Sequence, residues 1–194
     1  FYCLNLKSIT LPDTIKSIQY RAFHSTSLGS LNLNGSVEII GQEAFRNSKI
    51  EELYLGGALV EAMNGSFAHM STSLTSVFLG DRMRHLAPDA FYGSVDSLQR
   101  LTVMTPLSDT PNFLTYYFSS NLYELEEVHI GGSAVTVGSK FARMSRLKKL
   151  TLSGKVQSIG SAAFQLCSFL VSVTMAAGDV QNIGEVAFSG SYQL

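Results

Sequence analysis

The chain has no excess of charge of one sign. Lys and Arg together number 14 against 15 for Asp and Glu, and the two signs are scattered along the sequence. No basic stripe is available to hold a phosphate backbone or an anionic membrane surface, which argues against a nucleic-acid partner. No apolar run approaches the roughly 18 residues that a spanning helix needs, so no membrane insertion is expected within these residues. Nothing at the start resembles a basic stretch followed by a signal-peptide core. The chain opens at Phe1 rather than Met, so that absence says nothing about compartment.

Cysteine and histidine are equally sparse. His24, His69, His85 and His129 stand at unrelated places, with no His-x-x-x-His or Cys-x-x-Cys spacing to gather a metal. There is no Gly-x-Ser-x-Gly elbow, no phosphate-cradling glycine loop and no His-Glu-x-x-His. The sequence thus offers no candidate catalytic residue, metal site or cofactor site, and an enzyme is not expected.

What is present is an apolar repeat. Hydrophobic residues make up 45% of the chain and charged ones 15%, enough to bury a sizeable core. Eight Leu-x-x-apolar-x-apolar segments start at Leu6, Leu28, Ile50, Leu74, Leu98, Leu125, Leu147 and Leu170, with successive spacings of 22, 22, 24, 24, 27, 22 and 23 residues. Each start is followed 16 to 20 residues later by a phenylalanine: Phe23, Phe45, Phe67, Phe91, Phe118, Phe141, Phe164 and Phe188. Between these ladders runs a third apolar position, at Ile18, Ile40, Ala62, Leu86, Val137, Ile159 and Ile183. Glycine follows it at Gly41, Gly138, Gly160 and Gly184, where either positive φ or a close backbone approach is expected.

A coil of this length cannot bury its own apolar side chains, so coils must stack. In each, a short strand points the fourth and sixth residues of the segment inward and the one between them outward. Stacking these strands makes a parallel sheet. The phenylalanines fill the interior from the far side, and the alanine before five of the eight lets a short helix or turn pack close. Burying a large apolar side chain is worth about 1.5–3 kcal/mol, against about 1–2 kcal/mol of backbone entropy per ordered residue. One coil alone would not stay folded, so stability belongs to the array.

The Ile-Gly-x-x-Ala-Phe core followed by small residues, Cys and Leu-x-x-Ile-x-Ile resembles the BspA-type leucine-rich repeat. "GSAAFQLCSFL" (160–170) lies close to that consensus, while "AMNGSF" (62–67) has lost the Ile, the Gly and the Ala. The fifth repeat departs most, with extra residues before Phe118, where Thr110 and Pro111 could open a helix. That insertion is either a functional elaboration or ordinary loop variation. The resemblance covers essentially the whole chain and implies an α/β solenoid: a right-handed coil of about eight repeats, with a parallel β-sheet on one face and short helices or turns on the other. Residues 1–194 form one such domain, read here as part of a longer array because no polar capping repeat closes either end. Such open edges could support end-to-end self-association.

Cys3 and Cys167 each lie three residues before a segment start. Seven stacked coils at about 4.8 Å each put them about 30 Å apart, beyond the ~7 Å limit for a bridge. Two free thiols are expected. The resemblance implies a small buried residue at this place, with Ser25, Asn47, Ser71 and Ser191 standing in for Cys. Asn34 and Asn64 each open Asn-Gly-Ser, which is a formal glycosylation sequon and also a tight-turn sequence.

The outward strand column reads Thr10, Asn32, Tyr54, Phe78, Thr102, His129, Thr151 and Thr174, flanked by Glu52, Ser76, Arg100 and Glu127. Aromatic residues beside Arg are what binding hot spots favour, so Tyr54, Phe78, Arg100 and His129 are the candidate partner-binding residues. Cross-strand aromatic and Thr pairs that merely stabilise the sheet would give the same pattern. The resemblance implies a non-catalytic module of a secreted or cell-surface protein, in adhesion or partner recognition, with a protein ligand on the exposed strand face. A structural spacer, or an intracellular interaction scaffold, is the alternative.

Overall fold

The computed structural model describes residues 3–70, 73–105, 122–131, 136–138, 141–176, 178 and 180–194. Thr110, Pro111, Phe118 and Ser71 lie outside the described residues. Among the described residues the chain alternates short and very short strands. The first half holds β1 (Ser17–Ile18), β2 (Ser30–Leu33), β3 (Ile39–Ile40), β4 (Glu52–Leu55), β5 (Glu61–Ala62), β6 (Ser76–Leu79) and β7 (His85–Leu86). The second holds β8 (Arg100–Val103), β9 (Glu127–Ile130), β10 (Thr136–Val137), β11 (Lys149–Leu152), β12 (Ser158–Ile159), β13 (Ser172–Met175) and β14 (Asn182–Ile183).

The four-residue strands form one parallel seven-stranded sheet in the order β2-β4-β6-β8-β9-β11-β13, so each strand lies beside the one from the next coil. Register is strict: Leu31 faces Leu53, Leu53 faces Val77, and Val77 faces Leu101. A one-residue slip would turn every inward leucine to solvent, which is why the alternation fixes the pairing. The two-residue strands form two parallel ribbons, β1-β3-β5-β7 and β10-β12-β14, that carry the third apolar position. Inward strand residues are buried in β2 through β11. In β13, last in the sheet, Val173 and Met175 have a strand on one side only and are half-buried.

One sequence expectation is corrected and another narrowed. The segment Leu6–Leu11 forms no strand, so the sheet has seven strands rather than eight. No α-helix occurs among the described residues, so of the short helices or turns expected on the far face the turns are what is seen there, and the described coils form a parallel β-solenoid. Around Phe23, Phe45 and Phe164, the residues two before and two after adopt left-handed φ: Arg21 and Ser25, Glu43 and Asn47, Ala162 and Leu166. A left-handed residue costs about 1–2 kcal/mol outside glycine and interrupts a right-handed helix. The cost is offset by hydrogen bonds to the next coil. The N–H groups of Arg21, Phe23 and Ser25 donate to the carbonyls of Gln42, Ala44 and Arg46, and those of Glu43, Phe45 and Asn47 donate to Asn64, Ser66 and Ala68. The turns are thus stitched coil to coil, as the strands are.

The phenylalanines stack inside this face. Ring centroids lie 5.2 Å apart for Phe23 and Phe45, 5.6 Å for Phe45 and Phe67, 5.3 Å for Phe67 and Phe91, and 5.5 Å for Phe164 and Phe188. Glycine after the third apolar position serves close approach and not positive φ. A Cβ on Gly41 would lie 2.9 Å from the Ile18 carbonyl, which already accepts the Gly41 N–H at 2.7 Å.

Both cysteines are free, Cys3 exposed and Cys167 buried. Cys167 Sγ donates to the Phe141 carbonyl at 3.1 Å. Hydroxyls serve the phenylalanine carbonyls elsewhere: Thr26 to Phe23 at 3.1 Å, Ser48 to Phe45 at 2.6 Å, Ser94 to Phe67 at 2.6 Å and Ser191 to Phe164 at 3.3 Å. Thr26 and Ser48, not Ser25 and Asn47, occupy the Cys167 place, since each is buried three residues after the phenylalanine of its coil as Cys167 is. Their hydroxyls bond that same phenylalanine, whereas Cys167 bonds the one of the preceding coil; Ser191 stands as expected. Counting back from the strand misplaces them by one, because Phe23 and Phe45 precede their strand segments by five residues and Phe164 by six.

Candidate functional site: an aromatic ridge on the strand face

The site rises from β4 and β6, the second and third strands of the large sheet counted from the β2 edge. In β4 and β6 the inward leucines and valine are buried, which leaves Tyr54 and Phe78 on the opposite face at paired positions. Their rings stack 4.0 Å apart with planes 5° from parallel. At that separation on adjacent strands, the ring normals run along the solenoid axis, and each ring has one face occupied by the other. Both residues are half-buried rather than fully exposed. Such a stacked pair is worth about 0.5–1.5 kcal/mol beyond its area, so the rings stabilise the sheet as well as marking its surface. The free face of Tyr54 looks over Asn32 and that of Phe78 over Thr102, the strand neighbours on either side.

Arg100 stands one column away. Its Nη2 lies 3.1 Å from Glu52 Oε1, so the guanidinium reaches across β6, over Ser76, to the strand beyond. Both partners are largely exposed, and such a pair adds little stability. Its effect is to hold the guanidinium over Ser76, beside the rings. His129 sits apart: Thr102 intervenes between it and Phe78, and its Nε2 is 2.7 Å from Ser153 Oγ. Burial, and then the Lys149 ammonium, hold its imidazole below the usual histidine range. The fold brings Tyr54, Phe78 and Arg100 together and leaves His129 outside that group.

The aromatic pair forms a ridge between two shallow depressions. One, of about 420 Å³, is lined by Ser30, Asn32, Glu52, Ser76 and Arg100 together with the rings. The other, of about 440 Å³, is bordered by Asn34, Asp81 and Met104 and floored by Gly56, Gly57 and Gly80. "LGG" at 55–57 reads from sequence as a turn after a strand, and its second role is visible only in the fold. A Cβ on Gly56 would come within 2.5 Å of Tyr54 Cε1, so the tyrosine ring rests over the missing side chain. A Cβ on Gly80 would meet the Gly56 Cα at 2.9 Å. The glycine column lets the coils close and clears the second depression.

Among the described residues, no group of three or more His, Cys, Asp or Glu could hold a metal ion. No helix among them is long and apolar enough to cross a membrane. Two ion pairs lie on or beside this face: Glu52 with Arg100, two strands apart, and Lys148 with Glu126 at 2.9 Å.

Stacked parallel strands with a leucine ladder on one side and an aromatic pair on the other define a leucine-rich repeat solenoid. The family model of the BspA type leucine rich repeat region matches residues 1–120 and 107–194, with six copies, and the chain belongs to that family. That count, like the sheet, falls short of the eight repeats expected. A leucine-rich repeat protein from Bacteroides ovatus aligns over 99% of this chain and 66% of its own, at 18% identity and a TM-score of 0.43. One from Eubacterium ventriosum aligns over 99% and 72%, at 16% identity and a TM-score of 0.39. The chain thus spans just under two thirds of the first of these proteins. No curated protein matches it.

Proposed function

We propose that the chain is a non-catalytic protein-binding module of a secreted or cell-surface protein, acting in adhesion or partner recognition through the strand face around Tyr54, Phe78 and Arg100. The family supplies the class, an interaction repeat. The observation that carries the site is the stacked Tyr54–Phe78 pair on the second and third of the sheet's seven strands, flanked by two depressions. A solenoid repeats its packing residues in every coil, whereas this pair occurs in two adjacent coils and sits where a partner can reach it.

The test is adhesion of beads coated with the parent module, or with a Tyr54→Ala/Phe78→Ala variant, to cultured epithelial cells. The parent is expected to hold the beads, the variant to lose about tenfold or more, equivalent to one hot spot of about 1.4 kcal/mol, and protease-shaved cells to lose both. Equal adhesion of parent and variant would return the module to the spacer reading.

A further inference from the structure

The depression on the Asn32 side of the ridge carries a chemistry that the packing of the coil does not require. Its side walls offer hydroxyls from Ser30 and Ser76, an amide from Asn32, a carboxylate from Glu52 and a guanidinium from Arg100, and its end wall is the free face of Tyr54. Asn32 Oδ1 accepts the Asn34 backbone N–H at 3.0 Å, which orients the amide and leaves its NH2 group as the donor. The carboxylate and guanidinium are already paired with each other, so the depression has no net charge to offer an ionic ligand. Both remain largely exposed and keep planar hydrogen-bonding capacity for neutral groups.

We infer that this depression binds a neutral oligosaccharide, one pyranose ring stacking on the outer face of Tyr54 above Asn32 while its hydroxyls bond Asn32, Glu52 and Arg100. A pyranose presents an apolar C–H face bordered by hydroxyls, which matches an aromatic face bordered by planar polar groups. A peptide fits less well. The backbones of β4, β6 and β8 are paired on both sides within the sheet, so a peptide cannot add a strand among them. Beyond the rings the walls are polar, and the depression provides no enclosed apolar hole for a side-chain anchor. The absence of net charge disfavours anionic sugars. Gly56 acts as a positioning residue, because the tyrosine ring lies over its missing Cβ. The inference goes beyond the proposed function and shares with it the strand face, with Tyr54 and Arg100 used by both.

The test uses saturation-transfer NMR with cellohexaose, maltohexaose and N-acetylchitohexaose as neutral probes and a galacturonate hexamer as the anionic one. Retention of asialofetuin is measured alongside, before and after enzymatic removal of its glycans. At least one neutral hexaose is expected to receive saturation and the anionic probe none. Tyr54→Ala should weaken that binding by about tenfold, the loss of one ring stack, with Tyr54→Phe retaining it. Asn32→Ala, at an exposed position that leaves the core intact, should weaken it as well and covers the case in which Tyr54→Ala unfolds. Gly56→Ala should weaken it with Tyr54 still in place. Binding by no neutral probe, or binding indifferent to both Tyr54→Ala and Asn32→Ala, overturns the inference. Equal retention of asialofetuin with and without glycans overturns it too, while leaving a protein ligand standing. A parent module that holds no beads to the cells while still binding a neutral hexaose would overturn only the proposed function.

Discussion

Phe45 and Phe67 lie face to face one coil apart, with ring centroids 5.6 Å apart and planes 8° from parallel, and both are fully buried. Each ring fills the space between the strand face and the turn face of its own coil and also contacts the ring of the next. Phe45→Ala is expected to destabilise by about 3–5 kcal/mol. Tyr54→Ala, on the half-buried outer face, is expected to cost about 1 kcal/mol. Urea denaturation of the two variants, compared at equal slope, checks the order.

Val186 adopts φ 51° with a β-branched side chain that is 47% exposed. The strain there is not offset by deep burial. Val186→Gly or Val186→Asn is expected to stabilise by about 0.4–1 kcal/mol, glycine being limited by the entropy it adds to the unfolded chain. A thermal unfolding midpoint that falls in both variants would show that the Val186 side chain contributes more packing than its exposure implies.

Burial pushes the Cys167 thiol up to about 11, against a smaller opposing effect of backbone hydrogen bonds from Met144 and Arg143. Its thiolate is scarce at neutral pH, and the residue is out of reach. Iodoacetamide at neutral pH should therefore label Cys3 alone in the folded protein, and both cysteines in denaturant. Mass mapping of the labelled peptides reads the result directly.

Acid should destabilise the fold in two stages. Burial, and then Arg21, hold the His24 imidazole below its ordinary 6.5, while burial and Lys149 do the same at His129. The unfolded chain therefore takes up protons at these residues that the folded chain refuses, and stability present above pH 6.5 declines below it. The hydrogen bond from Arg21 Nε, at 2.5 Å, holds the Glu43 carboxyl below its ordinary 4.5, with burial opposing. That contribution is present above 4.5 and is lost as pH falls through the lower folded value. Denaturation curves across this range should show both declines, with Glu43→Gln flattening the lower one and His129→Gln reducing the upper one.

The repeat was legible because packing is periodic: Leu31, Leu53, Val77 and Leu101 must all turn inward, so their spacing shows in the chain itself. The free cysteines were legible for the same reason, since place in the coil bounds distance along the axis. The far face was not. The pattern around Ile40 to Phe45 tolerates a helix turn or a left-handed turn, and Glu43 and Asn47 adopt the latter because their N–H groups find carbonyls in the next coil. Asn47, and Gly65, Gly93 and Gly190 at the equivalent places of other coils, are residue types that favour this turn, whereas glutamate and valine at such positions argue against it.

Alternation along each strand, read from sequence alone, placed Tyr54 and Phe78 outward on neighbouring coils. Only the folded chain set their rings 4.0 Å apart, tied Arg100 to Glu52 across an intervening strand and turned His129 toward Ser153. Which coil a side chain belongs to is written in its spacing. Where that side chain points depends on neighbours 22 to 48 residues away in the chain, and those meet only when the coils stack.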